Sequence, residues 1–149
     1  MRKIIVGAQV SMDGIMQAPG AAQEDPTNGF KFGGWVMPYF DQEFGEEIDR
    51  VFKEKFDLLL GRKTYEHSLR MGARFDATKG RTIVFSRHAS QADAPSGVEF
   101  VTGDIGAFVR GLRDQPGKDI WLMGGGELIA SLLDEQAIDF VLRHRVSGR

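Results

Sequence analysis

The stretch Asp119–Leu133, DIWLMGGGELIASLL, decides how the rest of the chain is read. Ile120, Trp121, Leu122 and Met123 form a near-continuous apolar run, the pattern of a strand buried on both faces of a parallel sheet. Leu128, Ile129, Leu132 and Leu133 follow at helical spacing. Between them stand Gly124, Gly125 and Gly126, which place no side chain at the strand's end and let another backbone or a phosphate come close. A strand, a glycine turn and a helix start aim free N–H groups and the positive end of the helix dipole at one point. That arrangement suits an anion such as a dinucleotide pyrophosphate, and it equally suits a plain tight turn with no ligand.

A second copy of the pattern lies upstream. Asp57–Leu60 (DLLL) is a buried strand that runs into Gly61-Arg62-Lys63-Thr64 and a helix over Thr64–Met71. Arg62 and Lys63 can neutralise phosphate, and Thr64 can cap the helix or donate to an anion. A third strand, Arg81–Phe85 (RTIVF), ends at Ser86-Arg87-His88, where a hydroxyl and a guanidinium suit a ribose phosphate or simply a solvated loop. Three strand ends with phosphate-friendly chemistry on one sheet edge favour a dinucleotide site over three ordinary turns.

The remaining elements alternate as an α/β domain requires. Lys3–Val10 (KIIVGAQV) is a first strand, with the small residues Gly7 and Ala8 admitting a ligand or a tightly packed neighbour. Ile15–Pro38 is irregular, broken by Pro19, Pro26 and several glycines, yet it carries Phe30, Phe32 and Trp35. A loop this long and apolar is a lid or substrate wall, or else a dimer contact. Asp41–Phe56 reads as a helix, with Asp41 as N-cap and an apolar face through Phe44, Ile48, Val51, Phe52 and Phe56. Gly97–Val101 is a short strand, Ile105–Arg113 a helix capped by Asp104, and Ala137–Val146 a last strand.

Composition narrows the function. The chain has 149 residues, the length of one domain over 1–149, and is 42% hydrophobic, enough for a substantial core. A formal net charge of −2 disfavours an electrostatic nucleic-acid binder. The absence of cysteine excludes disulfides, thiolate nucleophiles and cysteine-bound metal, and fits a cytoplasmic protein. The start MRKIIVGAQV reads as a strand rather than a signal peptide, and no apolar stretch is long enough for a membrane span. The dinucleotide fingerprint G-x-G-x-x-G fails because Ile129 stands at its third glycine. A P-loop fails because Arg62 follows Gly61 and Phe56 stands at the earlier glycine. No G-x-S-x-G occurs, and His67, His88 and His144 lack metal-ligand spacing, so no metal is expected.

Taken in order, Asp57–Glu66, Arg81–Arg87 and Ile120–Leu128 resemble the dihydrofolate reductase fold, a three-layer α/β arrangement with a central, mostly parallel sheet flanked by helices. The Ser-Met-Asp-Gly at Ser11–Gly14 is more similar to the reductase domain of bacterial riboflavin biosynthesis and its stand-alone relatives. The resemblance implies an NADPH-dependent reductase of a small heterocyclic or carbonyl substrate, pterin- or pyrimidine-like, working as a cytoplasmic homodimer. It implies that Gly61, Arg62, Lys63 and Thr64 hold cofactor phosphates, and that Ser86 and Arg87 bind the adenosine 2′-phosphate. Gly124, Gly125, Gly126, Glu127 and Leu128 would cradle the pyrophosphate. Ala8 would border the nicotinamide, beside Asp13 and Gly14. Asp13, Glu46 and Trp35 are the catalytic candidates, with Trp35 as a wall for a planar substrate. Two departures stand out. The pterin-binding acid of dihydrofolate reductase maps near Gly45, next to Glu46, which disfavours folate. The family also continues past the last strand, so either this chain is shortened there or another chain completes the sheet, and an unpaired edge would invite dimerisation or strand exchange. The alternatives are a non-catalytic nucleotide-binding or dimerisation module on the same fold, and a nucleotide or phosphosugar enzyme without a nicotinamide.

Overall fold

The structure, a computed structural model, describes residues 1–75, 80–88 and 94–145. Among the described residues six strands and four helices follow one another: β1 Ile4–Val10, α1 Gln42–Phe52, β2 Asp57–Gly61, α2 Arg62–Arg70, β3 Thr82–Phe85, β4 Val98–Val101, α3 Ile105–Asp114, β5 Ile120–Leu122, α4 Gly126–Asp134 and β6 Phe140–Arg145. The sheet order is β4-β3-β2-β5-β1-β6, and β4-β3, β3-β2, β2-β5 and β5-β1 are all parallel pairs. The chain divides into two compact units. One comprises Met1–Gly7 with Lys55–Leu142, the other Ala8–Glu54 with Arg143–Arg149.

In the first unit the apolar runs read from the sequence become the centre of the sheet. Leu59 and Leu60 of β2, Ile83 and Val84 of β3, and Ile120 and Leu122 of β5 are all completely buried. A strand buried on both faces needs consecutive apolar residues, and DLLL, TIVF and IWL supply them. The register sorts these residues by face. Leu58 pairs with Thr82 and Trp121, and Leu60 with Val84. Leu58, Leu60 and Val84 form one cluster with Val98 and with Tyr65 of α2, while Phe56, Phe75, Phe100 and Trp121 pack against it. On the opposite face, Phe85 meets Phe108 of α3 edge to face, with ring centroids 5.7 Å apart. Right-handed crossovers explain the layering: β2-α2-β3 moves one way along the sheet, β4-α3-β5 the other, so α2 and α3 fall on opposite faces.

Several boundaries differ from the sequence reading, each for a physical reason. The helix read over Asp41–Phe56 ends at Phe52. Phe56 keeps the helical spacing by coincidence; its burial is against Trp121, ring centroids 6.2 Å apart, in the sheet's core. The helix read from Thr64 starts at Arg62, with Gly61 as its N-cap, so Thr64 is not the cap. The last strand begins at Phe140 rather than Ala137. Gln136 takes a left-handed conformation (φ 52°) and the Ala137 amide donates to Leu132 O at 2.9 Å, so this segment closes α4 instead. The end read for that strand, Val146, lies outside the described residues.

In the second unit, Ile15–Pro38 is irregular as expected, with short 3-10 turns at Thr27–Gly29 and Met37–Tyr39. It is nonetheless cross-linked. The Gly34 amide donates to Ala18 O at 2.8 Å, and Glu24 Oε2 accepts from Gly20 N at 2.6 Å and Ala21 N at 3.1 Å. Gly33 is obligatory there: a Cβ would lie 2.6 Å from Ala22 O. Phe32, at 74% exposure, and Phe40 remain on the surface. Among the described residues no helix is long and apolar enough to cross a membrane.

Candidate functional site

The three strand ends singled out from the sequence belong to the neighbouring strands β3, β2 and β5. Gly61, the last residue of β2, lies opposite Phe85, the last of β3, so Arg62 and Ser86 leave the sheet side by side. Beyond the end of β5, the Met123 amide donates to Leu59 O at 3.1 Å, and the Gly61 amide donates to Gly124 O at 2.7 Å. The two glycine turns therefore lie against each other, backbone to backbone. Side chains would crowd this contact. A Cβ on Gly61 would sit 3.3 Å from Gly125 N, and one on Gly125 would sit 3.2 Å from Thr64 Oγ1. Gly124 has φ +111°, a backbone that suits glycine, and its peptide bond to Gly125 is cis.

Helix capping separates this edge from the other helix starts. The Asp41 carboxylate accepts from Phe44 N at the head of α1, and the Asp104 carboxylate from Ala107 N at the head of α3, both at 2.9 Å. The N-caps of α2 and α4 are Gly61 and Gly125, and neither helix has a side-chain cap. Their first-turn N–H groups thus retain capacity for an outside acceptor, and the dipole of each helix favours an anion. Leu128 is buried and anchors α4, so it offers the turn only its backbone.

Cations ring this edge. The Arg62 guanidinium lies over the Phe100 ring at 4.9 Å and pairs with Glu66 at 2.5 Å. Lys63 is exposed beside it. Arg87 is exposed and reaches Glu127 of α4, Nη2 to Oε2 3.9 Å. Ser86 is fixed by its amide, which donates to Val101 O at 3.0 Å, while its Oγ accepts from His88 N at 3.3 Å. Phe100, the platform under Arg62, escaped the sequence reading because a strand aromatic looks like ordinary core. Tyr65 is core: it packs on Phe75 and Phe100, and burial pushes its hydroxyl above the usual tyrosine range, partly offset by Arg62.

With this geometry, the chain matches the RibD C-terminal domain over residues 2–144. It belongs to the RibD C-terminal domain family. It is 28% identical over 142 residues to the uncharacterized protein YwjB of Bacillus subtilis (strain 168), covering 93% of this chain and 72% of that protein. Its fold is similar to the crystal structure of a candidate riboflavin biosynthesis protein from Shewanella sp. PV-4, with a TM-score of 0.60 and 20% identity, over 97% of this chain and 78% of the other. The resemblance to the dihydrofolate reductase-like fold read from the ordered motifs thus holds for a RibD C-terminal domain.

The other candidates from the sequence lie in the second unit of this RibD C-terminal domain. Ala8 is buried on β1. Asp13 accepts from Ser11 Oγ inside a turn that Gly14 closes, its amide donating to Ser11 O at 3.0 Å. Trp35 gives its Nε1–H to Gln17 O at 2.9 Å. Glu46 is exposed and accepts from Gln42 Nε2 at 2.7 Å. The hydrogen bonds of Asp13, Trp35 and Glu46 go to their own segments, not to one another. Among the described residues, no group of three or more His, Asp or Glu gathers as metal ligands.

Proposed function

We propose that this RibD C-terminal domain is an NADPH-dependent reductase of a small, planar heterocyclic or carbonyl substrate of pterin or pyrimidine type. The observation that carries the reading is the pair of glycine-capped helix starts, α2 and α4, hydrogen-bonded to each other at Gly61 and Gly124 with Arg87 alongside. A cradle that any Cβ at Gly61 or Gly125 would crowd fits a pyrophosphate held by backbone N–H groups. In this reading Gly61 leaves room for the cofactor phosphates, the N–H groups at Arg62–Thr64 and Gly124–Leu128 take the bridging phosphates, and Arg62 and Lys63 balance their charge. Ser86 and Arg87 take the phosphate on the adenosine ribose. When bound, the cofactor supplies the hydride. The protein's part is to orient it and to shield the reacting atoms. Ala8 and Gly14 as cofactor residues, and Asp13, Glu46 and Trp35 as catalytic candidates, are carried by the family resemblance alone. The reading also takes the protein as a cytoplasmic homodimer.

The test is calorimetric titration with NADPH and NADH, followed by turnover on a panel of pterins, pyrimidines and quinones. NADPH binding tighter than NADH, with oxidation of NADPH by one substrate class, is the expected result. Arg87→Gln should weaken NADPH by about tenfold, the loss of one charge-assisted phosphate contact worth ~1.4 kcal/mol. Binding without turnover would instead support a non-catalytic nucleotide module. Binding of neither cofactor would overturn the proposal.

A further inference from the structure

Glu127 is an acid at an edge otherwise suited to phosphates. It is the second residue of α4, directly after the glycine turn, and its side chain is 84% exposed. Its Oε2 lies 3.9 Å from Nη2 of Arg87. That separation is an ion pair but too long for a hydrogen bond, so the guanidinium fork is not committed to it. An acid in the first turn favours the helix on its own. The same acid is unfavourable to any phosphate that approaches Arg87.

We propose that Glu127 sets the cofactor preference of this site through Arg87, acting as the counter-charge that a ribose phosphate must displace. The inference rests on the reading of this edge as a nicotinamide dinucleotide site. A phosphate monoester carries about −1.5 to −2 at neutral pH and can engage a guanidinium through two parallel hydrogen bonds, so it outcompetes a carboxylate for Arg87. The displaced carboxylate stays within reach of the new anion and subtracts from the gain. A cofactor with a free ribose hydroxyl in place of that phosphate leaves the Arg87–Glu127 pair as it is. Glu127 therefore holds down the preference for NADPH without acting equally on NADH. It is a positioning residue for Arg87, not a catalytic one.

The experiment measures NADPH and NADH dissociation constants for the wild-type chain, Glu127→Gln, Glu127→Asp, Arg87→Gln and the double variant that combines Glu127→Gln with Arg87→Gln, at low and high salt. Glu127→Gln should tighten NADPH about twofold to fivefold, the upper range of an exposed charge interaction, and leave NADH essentially unmoved. Glu127→Asp, which keeps the charge, should retain the wild-type preference. The gain should vanish in the Arg87→Gln background and shrink at high salt. Equal tightening of both cofactors would place Glu127 against the pyrophosphate alone and overturn the inference. So would an unchanged NADPH-to-NADH ratio, or a ratio gain that survives in Arg87→Gln. If the wild-type chain binds neither cofactor, the proposed function fails and this inference falls with it. Tight wild-type binding with an unmoved ratio sinks only the role of Glu127.

Discussion

The amide of Gly61 donates to the carbonyl of Gly124 at 2.7 Å, tying the end of β2 to the turn that follows β5. Through this bond two sequence motifs far apart in the chain become one surface. Each motif alone is a strand-to-helix turn. Together they set two uncapped helix starts next to each other, which is the arrangement an extended anion needs.

The turn itself is the first place to test. Gly124→Ala puts a side chain at φ +111°, and the strain should cost about 1–3 kcal/mol of stability, measured by urea denaturation. Gly125 has φ −79°, so Gly125→Ala carries no such strain; its Cβ would instead press on Thr64 Oγ1 at 3.2 Å. Gly125→Ala should therefore keep most of the stability and weaken NADPH. Unimpaired NADPH binding by a well-folded Gly125→Ala protein would remove this turn from the site.

Arg2 and Asp57 form an ion pair of 2.9 Å at the opposite, N-terminal ends of the strands, with side chains only 6% and 13% exposed. Arg2 Nε also donates to Lys118 O at 2.5 Å, and Asp57 Oδ1 accepts from Arg81 N at 3.1 Å. Asp57→Ala leaves a buried guanidinium without its counter-charge and should cost about 3–5 kcal/mol in a denaturant melt. The Arg2→Met/Asp57→Ala double variant should cost less than the sum of the singles. Strict additivity would show that the two side chains do not interact in solution.

Tyr65 gives a pH signature. Burial raises the folded hydroxyl above its ordinary value near 10, so the unfolded chain loses this proton first as pH rises. Above that value the unfolded state binds fewer protons than the folded one, and stability falls with increasing pH. The contribution is fully present below about pH 10 and declines from there toward the raised folded value. Thermal melts from neutral to strongly alkaline pH should show a steeper alkaline loss for the wild type than for Tyr65→Phe. Parallel curves would mean that Tyr65 titrates as it does in the unfolded chain.

Some of this was readable in the residues one by one. Runs such as Leu58–Leu60 and Ile120–Leu122 identify themselves as doubly buried strands, because only a parallel core accepts consecutive apolar residues on both faces. Asp41 and Asp104 identify their helix starts, because a carboxylate caps through its own local hydrogen bond. Phe56 misled, because an aromatic four residues past Phe52 fits a helix period whether or not the helix continues. Glu127 read as part of a glycine turn; its facing of Arg87 depends on a residue forty positions earlier.

The order of the motifs carried the resemblance to the RibD C-terminal domain family, and residue pattern was enough for the α/β class, most of the strands and the glycine turns. Those follow from local rules: side-chain period, backbone freedom and capping act over a few residues. The tertiary structure alone decided that β3, β2 and β5 are neighbours, that Gly61 meets Gly124, that Arg62 rests on Phe100 and that Glu127 faces Arg87. These contacts join segments far apart in the chain. Strand order and register select them through the burial of a shared core, which no single stretch of residues encodes.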